Sequence, residues 1–187
     1  MKICLTCARL KEMYQFCAGA MSKNPEKELL RFIHLKVDER GVTAYALDGY
    51  RLARKRVISD VMEWSGALLL PVVDIPKGAF ACEISAEGGS VTLTFDNETT
   101  VRVEPPVECF PKVENLEKSF REEETPTLSI WFHPKMLQEA LKAVQSGKKR
   151  VPVRLDFFHA RGPVVLQLDG DAAQNRLLVL PVKPKAE

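Results

Sequence analysis

The sequence predicts an α+β fold built from repeated units, each consisting of a strand, a helix and three further strands. Three observations support this. Two stretches of the 187-residue chain carry apolar residues at helical spacing, short alternating runs separated by turn residues follow each stretch, and the order of patterns returns after a charged segment. The chain is thus predicted to hold three copies of one arrangement, with the middle copy weakened.

The first copy begins with a strand-like run over residues 1–5. A helix follows, and its apolar face consists of Leu10, Met13, Tyr14, Cys17 and Met21. Gly19 and the segment 22–25 end this helix. Strands are predicted over 29–37, 42–47 and 51–58. The pair Asp48–Gly49 predicts a hairpin between the last two, because glycine reaches positive φ without a steric penalty. Tyr50 and Arg51 then project from this corner.

The two later copies repeat the pattern with changes. In the middle copy, strands are predicted over 68–71, 82–85, 90–95 and 99–103, and segment 74–78 is too rich in proline for a regular helix. The third copy has a strand-like run over 127–132, a helix from Pro134 and strands over 151–157, 164–168 and 176–182. Its helical stripe consists of Leu137, Ala140, Leu141 and Val144. The predicted domains are therefore 1–118, with two half-units, and 127–187, with one half-unit, joined by the charged linker 119–126.

Composition limits the classes of protein that are open. The net charge is only +2, so any surface for nucleic acid must be a local one. No apolar run approaches the ~18 residues of a membrane span, and the N-terminal residues lack the features of a signal peptide. We therefore expect an intracellular, cytoplasmic protein.

The cysteines are expected to be packing residues. The chain has five: Cys4, Cys7, Cys17, Cys82 and Cys109. An odd number within apolar segments is typical of a reducing compartment. The spacing of Cys4 and Cys7 leaves zinc binding or redox chemistry open, although a structural zinc would need a second ligand pair that the sequence does not offer. No metal or other cofactor is predicted.

No catalytic residues are predicted either. His34 lies in an apolar strand, His133 at a helix start and His159 near a turn, and none has a neighbouring nucleophile or carboxylate pair that the sequence alone would bring to it. The glycines in segment 87–89 lie in a hairpin and lack the lysine of a phosphate-binding loop.

The segment Ala44–Ala53, which reads AYALDGYRLA, resembles the corresponding hairpin of bacterial DNA sliding clamps, the DNA polymerase III beta subunit. Segments 29–34, 68–71, 109–112 and 177–182 extend the resemblance in order and spacing. It implies a clamp-like fold, with helices on one face of curved antiparallel sheets. Residues 1–118 are similar to a central clamp domain, and residues 127–184 to half of the last one. One half-unit then lacks a counterpart, so we expect a homodimer or a higher homo-oligomer.

The resemblance implies a non-catalytic processivity or tethering factor in DNA replication or repair. Clamps capture short peptides of polymerases and other replication proteins in an apolar pocket between two domains. Carried over by position, the peptide pocket comprises Leu30, Gly49, Tyr50, Arg51, Leu52, Pro111, Leu116, Leu178, Val179, Leu180 and Pro181. Leu47 and Asn115 depart from the family pattern, in which a small hydroxyl residue and a base are common. The segment 178–181 also fits an ordinary buried strand, and Arg51 fits a partner of Asp48.

The resemblance further implies contacts with double-stranded DNA. Clamp helices offer lysine and arginine side chains to phosphates without reading bases. The corresponding basic residues are Arg9, Lys11, Lys23, Lys27, Lys135, Lys142, Lys148, Lys149 and Arg150. Glu12 and Glu139 interrupt this positive charge, so ordinary solvated helix faces remain an alternative.

Two other functions stay open. One is a clamp-derived module that binds proteins and no longer encircles DNA, which the weakened middle copy favours. The other is an enzyme that uses Cys4 and Cys7, which requires a reactive thiol.

Overall fold

The computed structural model describes residues 2–39, 41–57, 61–62, 65–107, 110–118, 120, 125–145, 152–159, 162–168 and 177–182. The chain divides into two compact units, Met1–Phe120 and Arg121–Glu187. Of the predicted linker, residues 119 and 121–124 lie outside the described residues, and the predicted domain limits stay a prediction.

The first unit contains nine strands, two α-helices and one 3₁₀ helix among its described residues. The strands are β1 Lys2–Thr6, β2 Ile33–Asp38, β3 Gly41–Leu47, β4 Leu52–Val57, β5 Val61–Met62, β6 Gly66–Leu70, β7 Ala81–Glu87, β8 Ser90–Phe95 and β9 Thr100–Val103. The helices are α1 Cys7–Ala18, the 3₁₀ helix Glu28–Arg31 and α2 Val113–Lys118.

The strands form two antiparallel sheets that exchange their first strands. One sheet has the order β5-β1-β7-β8-β9, and the other has the order β4-β3-β2-β6. β1, α1 and β2–β4 make the first half-unit, and β6–β9 make the second. β1 pairs with β7 and β6 pairs with β2, so each half-unit supplies a strand to the sheet of the other.

Helix α1 packs over the single core that the two sheets share. Its buried residues are Cys7, Leu10, Met13, Tyr14 and Cys17, which include four of the five residues of the predicted apolar face. They pack with inward residues such as Leu35 and Ile84, both fully buried. Burying a side chain of this size stabilises a fold by about 1.5–3 kcal/mol. The Thr6 hydroxyl caps the helix by accepting the N–H of Arg9 at 3.3 Å.

Segment 71–80 of the second half-unit contains no helix, as its prolines predicted. It is held on α1 by hydrogen bonds near both of its ends. The Tyr14 hydroxyl donates to the carbonyl of Pro71 at 3.0 Å, and the N–H of Cys7 donates to the carbonyl of Phe80 at 2.8 Å. Its apolar residues pack against the core: Val73, Ile75 and Ala79. The unit thereby closes its core with one helix over two sheets.

The short helix α2 lies on the side of the four-stranded sheet opposite to α1. The hydroxyl of Tyr45 donates to the Glu117 carboxylate at 2.6 Å, and the Lys36 ammonium lies 3.9 Å from the same oxygen. In the segment before α2, the ring of Phe110 stacks on His34 with centroids 4.7 Å apart. Phe120 receives the Arg54 guanidinium at 4.8 Å. The sequence did not predict this helix.

The second unit has one helix and three described strands. They are α3 Pro134–Gln145, β10 Val153–Phe157, β11 Val164–Leu168 and β12 Leu177–Val179. The strands pair antiparallel in the order β10-β11-β12. The core of this unit consists of Ala140, Val164, Leu166 and Val179, with Phe132, Leu137, Leu141, Val153 and Leu177 partly buried against it. Pro134 starts the helix as predicted.

Two of the predicted strands are wrong in part or in whole. Residues 29–31 belong to the 3₁₀ helix, and β2 begins only at Ile33, because the continuous apolar run gives no period that separates the two structures. Residues 127–132 belong to no sheet. Trp131 accepts one backbone hydrogen bond, from the N–H of Val182 at 2.8 Å, and one such bond does not make a ladder.

Candidate functional site

The Asp48–Leu52 corner joins β3 to β4, as the Asp-Gly pair predicted. Leu47 pairs with Leu52 at the base of the loop, and Gly49 has a φ of 97°, which a residue with a side chain rarely adopts. One Asp48 carboxylate oxygen accepts the N–H groups of Tyr50 and Arg51 at 2.9 and 2.8 Å. The corner is therefore fixed by the side chain of its own first residue.

Charge reinforces this arrangement. The other Asp48 oxygen accepts from Arg51 Nε at 2.9 Å and from a terminal nitrogen at 2.5 Å. Hydrogen bonding by the Tyr50 N–H, followed by the Arg51 side chain and N–H, lowers the Asp48 pKa to about 2. The Arg51 head is thus held against the loop, while the Tyr50 side chain is 95% exposed. The alternative in which Arg51 pairs with Asp48 is confirmed.

Other members of the predicted peptide set in the first unit lie near the same end of the sheet. β2 starts, β3 ends and β4 starts there, because all three strands are antiparallel. Leu30 is half-buried in the 3₁₀ helix just before β2. Lys27, from the predicted DNA set, lies beside the corner, since a Cβ built on Gly49 would be 3.8 Å from its ammonium nitrogen.

The remaining members have mixed surroundings. Pro111, just before α2, is exposed. Leu116 is half-buried in α2, and Glu117 of the same helix contacts the sheet. In the second unit, Val179 is a core residue, 5% exposed. Leu178 and Leu180 are 54% and 64% exposed, and Pro181 is half-buried. Residues 178–181 are therefore not a uniformly buried strand.

The outer face of α1 carries more positive charge than its sequence indicates. Lys11 is exposed and Arg9 half-buried on this helix. Glu12 forms an ion pair with Lys55 of β4, whose ammonium also lies 5.8 Å from the centroid of the Phe16 ring. The carboxylate that interrupts the predicted basic face is thus paired with a cation from another element.

The other predicted DNA-contacting residues are spread over both units. Lys23 is exposed after α1. Lys135 and Lys142 are exposed on α3, where Lys135 lies 4.0 Å from Glu139. Both members of that pair are well exposed, so the attraction is weak. Lys148, Lys149 and Arg150 lie outside the described residues.

Cys7, Cys17 and Cys82 are not activated as nucleophiles. Burial, with a smaller contribution from Asp96, raises the pKa of the Cys7 thiol. Burial also raises the pKa of Cys17 to about 11. It is the main cause that raises the pKa of Cys82 to about 12. Cys109 lies outside the described residues. Over the described ranges, no three His, Cys, Asp or Glu residues are grouped so that they could hold a metal ion. No helix in this part of the chain is long and apolar enough to cross a membrane.

The first unit also contains a cavity of about 560 Å³ that the sequence did not indicate. It lies between β6, the β7–β8 hairpin and segment 105–107, with His34 and Phe110 at its wall. None of the predicted peptide-set residues lines it. Pro105 and Pro106, which have no backbone N–H to donate, form part of its lining.

Comparisons with known proteins define the fold. The fold is that of the bacterial DNA sliding clamps, so the predicted α+β, clamp-like fold is confirmed. Comparison of the sequence with models of protein families gives no match, and comparison with curated proteins gives none either.

Solved structures similar to this chain come from several bacteria. The beta subunit of Streptococcus pyogenes DNA polymerase has a TM-score of 0.78 at 12% identity, over 98% of this chain and 50% of that one. The Pseudomonas aeruginosa sliding clamp has 0.73 at 15%, over 97% and 51%. The Borrelia burgdorferi DNA polymerase III subunit beta has 0.71 at 14%, over 96% and 47%. The chain thus spans about half the length of these clamp subunits.

Proposed function

We propose that the protein is a non-catalytic, sliding-clamp-like tethering factor of DNA replication or repair. It contacts the backbone of duplex DNA and holds a polymerase or another replication protein through a short peptide of that partner. The observation that carries this proposal is the clamp fold over nearly the whole chain. Tethering needs no chemistry of its own, because a partner held near its substrate has a raised effective concentration.

The Asp48–Leu52 corner supports the peptide-binding part. Its backbone is fixed by Asp48, so little further ordering is needed when a peptide covers the exposed Tyr50 ring. Lys27 adds a positive charge beside it. The corner thus combines an aromatic contact with orienting polar groups, as peptide recognition requires. The full predicted peptide set is kept in this proposal.

The peptide-binding part is tested with a fluorescent synthetic peptide that carries leucine and phenylalanine anchors. A Tyr50→Ala, Arg51→Ala double variant is expected to bind it at least tenfold more weakly in fluorescence anisotropy. Phe80→Ala is the matched control, because Phe80 is also an exposed aromatic, at 79%, and lies in another loop. Unchanged affinity of the double variant would refute the peptide site.

The basic faces of α1 and α3 support the DNA-binding part. Lys11 and Lys142 are exposed on them, and Lys55 compensates the charge of Glu12. Contacts of this kind give affinity that falls with salt, by a slope of about 0.9 per phosphate contact in a plot of log K against log salt. Lysines on helices suit a protein that slides, because phosphates carry no sequence information.

The DNA-binding part is tested by titrating a 30-base-pair duplex at several salt concentrations. A Lys11→Ala, Lys142→Ala double variant is expected to bind more weakly and to lose about 1.8 units of slope. Lys77→Ala is the control, since Lys77 is exposed in the helix-free segment 71–80. Affinity that does not change with salt, or an equal effect of the control, would contradict this part.

A clamp-derived protein-binding module is the second candidate. The observation in its favour is the absence of a helix in segment 71–80, where the repeat would otherwise supply another face for DNA. This candidate predicts that the peptide binds while the duplex does not, so the two titrations separate it from the tethering factor.

A further inference from the structure

The second unit exposes part of the apolar face of its sheet. Leu155 and Phe157 of β10 lie on the same face as the core residues Val164 and Leu166, with which they pair, yet they are 42% and 44% exposed. In the first unit, each half-unit has three consecutive strands, β2–β4 in one and β7–β9 in the other. β2 and β7 are the first strands of these sets. Their inward residues, such as Leu35 and Ile84, are fully buried. Among the described residues of the second unit, β10 therefore lacks an element like the one that covers β2 and β7.

The first unit shows what that element is. β2 is flanked by β6, and β7 is flanked by β1, so a first strand from the opposite half-unit covers the edge in both cases. β10 pairs with β11 on one edge, and no described strand pairs with its other edge. An unpaired edge above exposed apolar side chains is a template for a further strand.

A strand of the required kind is present in the same unit. Trp131 lies three residues before the start of α3, as Cys4 lies three residues before the start of α1. The carbonyl of Trp131 accepts the N–H of Val182, which lies three residues after the end of β12. In the same way, Cys4 pairs with Val61, which lies four residues after the end of β4. Segment 128–132 is therefore the counterpart of β1.

The second edge of this segment differs from that of β1. β1 uses that edge to pair with β7 of the opposite half-unit, whereas no described strand pairs with segment 128–132 there. Phe132 already contacts the Phe157 ring, with centroids 6.4 Å apart. The unit thus carries both a donor segment and an acceptor edge, which is the requirement for a symmetric contact between two identical surfaces.

We propose that two copies of the chain join through their second units by exchanging segment 128–132 across a two-fold axis. The segment of each copy pairs antiparallel with β10 of the other, so that each three-stranded sheet becomes four-stranded, as in the first unit. Leu155 and Phe157 are covered in the process. The pairing depends on the strand arrangement alone and not on binding to DNA or to a partner peptide, so it can fail or hold separately from the proposed function.

The 187-residue chain itself provides the first test. Sedimentation equilibrium at micromolar concentration is expected to give about twice the mass of 21.0 kDa. Hydrogen exchange is expected to show amide protection in 128–132 and 153–157 that increases with protein concentration. A monomer overturns the proposal, because it means that the missing strand comes from elsewhere. A dimer without concentration-dependent protection in both segments overturns it as well.

Two charged variants provide the second test. Leu155→Glu is expected to shift the chain to monomer, because the charge would be buried at the new strand pair. Leu178→Glu is the matched control: Leu178 is 54% exposed in the same sheet, but its neighbours Leu177 and Val179 alternate with it and point to the core. The control is expected to remain dimeric. Equal behaviour of the two variants overturns the proposal, and circular dichroism checks that both fold. If Leu155→Glu does not fold, the exchange measurement on the unmodified chain decides.

Discussion

Replacing Tyr45 by phenylalanine removes one hydroxyl from the sheet side that carries α2 and leaves the ring in place. The Tyr45 side chain is fully buried, and its hydroxyl donates to Glu117 at 2.6 Å. The Tyr45→Phe variant therefore measures how firmly α2 is held on the sheet, which in turn positions Leu116 of the predicted peptide set.

The expected loss follows from the partner's charge and exposure. A hydrogen bond to a charged group contributes roughly 1.5–3 kcal/mol. The Glu117 side chain is 40% exposed, so water replaces part of the lost bond, and Lys36 at 3.9 Å remains as a weak partner. We expect the free energy of unfolding to fall by about 1.5 kcal/mol, which corresponds to roughly 5 °C in the midpoint of thermal unfolding.

Thermal and urea unfolding followed by circular dichroism give this difference. Tyr50→Phe is the control and is expected to be neutral, because that side chain is 95% exposed. A double-mutant cycle with Glu117→Gln isolates the pair and is expected to show coupling above 0.5 kcal/mol. Strictly additive effects, or a Tyr45→Phe variant as stable as the parent, would refute the docking of α2 through this bond.

Three further predictions concern the corner and the thiols. The Asp48 pKa lies below its ordinary value in the folded state, so the hydrogen-bonded corner is expected to hold above about pH 4 and to loosen as pH falls through about 2. NMR titration of the Asp48 carboxyl and of the Tyr50 amide would report this change. Gly49→Ala is expected to destabilise the fold by about 1 kcal/mol in urea unfolding, because φ is 97° there, while Gly19→Ala, at an ordinary φ, should cost less. Cys17 is expected to resist iodoacetamide at pH 8 until the protein is unfolded; rapid labelling of the folded chain, read by mass spectrometry, would contradict its burial and raised pKa.

The fold was predictable where one local signal decides. Leu10 and Cys17 recur at helical spacing on the face of α1 that packs against the core. The pair Asp48–Gly49 specifies a turn, because Gly49 adopts a positive φ. Residues 128–132 have the composition of a strand, but strand formation depends on a partner edge that no local pattern encodes. Helix α2 is only six residues long, and its docking depends on Tyr45, 72 residues away in sequence.

The candidate site was predictable in part, for the same reason. The hydrogen-bonded corner follows from five consecutive residues, whereas the pairing of Glu12 with Lys55 joins positions 43 apart in the chain. The peptide and DNA residue sets came from the resemblance to clamps and stay predictions. Neither the cavity beside His34 nor the position of Lys27 next to Gly49 has a signature in the residues that form it.

The exchange of β1 and β6 between the sheets of the first unit has a consequence for biosynthesis. β1 leaves the ribosome before β7, so the edge on which β1 rests is not complete until Glu87 has been made. Contacts between such distant positions slow folding, and a nascent chain generally completes its domains as whole units. Neither half-unit can finish alone, so a premature stop within β6–β9 should leave a chain that the cell degrades and not a smaller working protein.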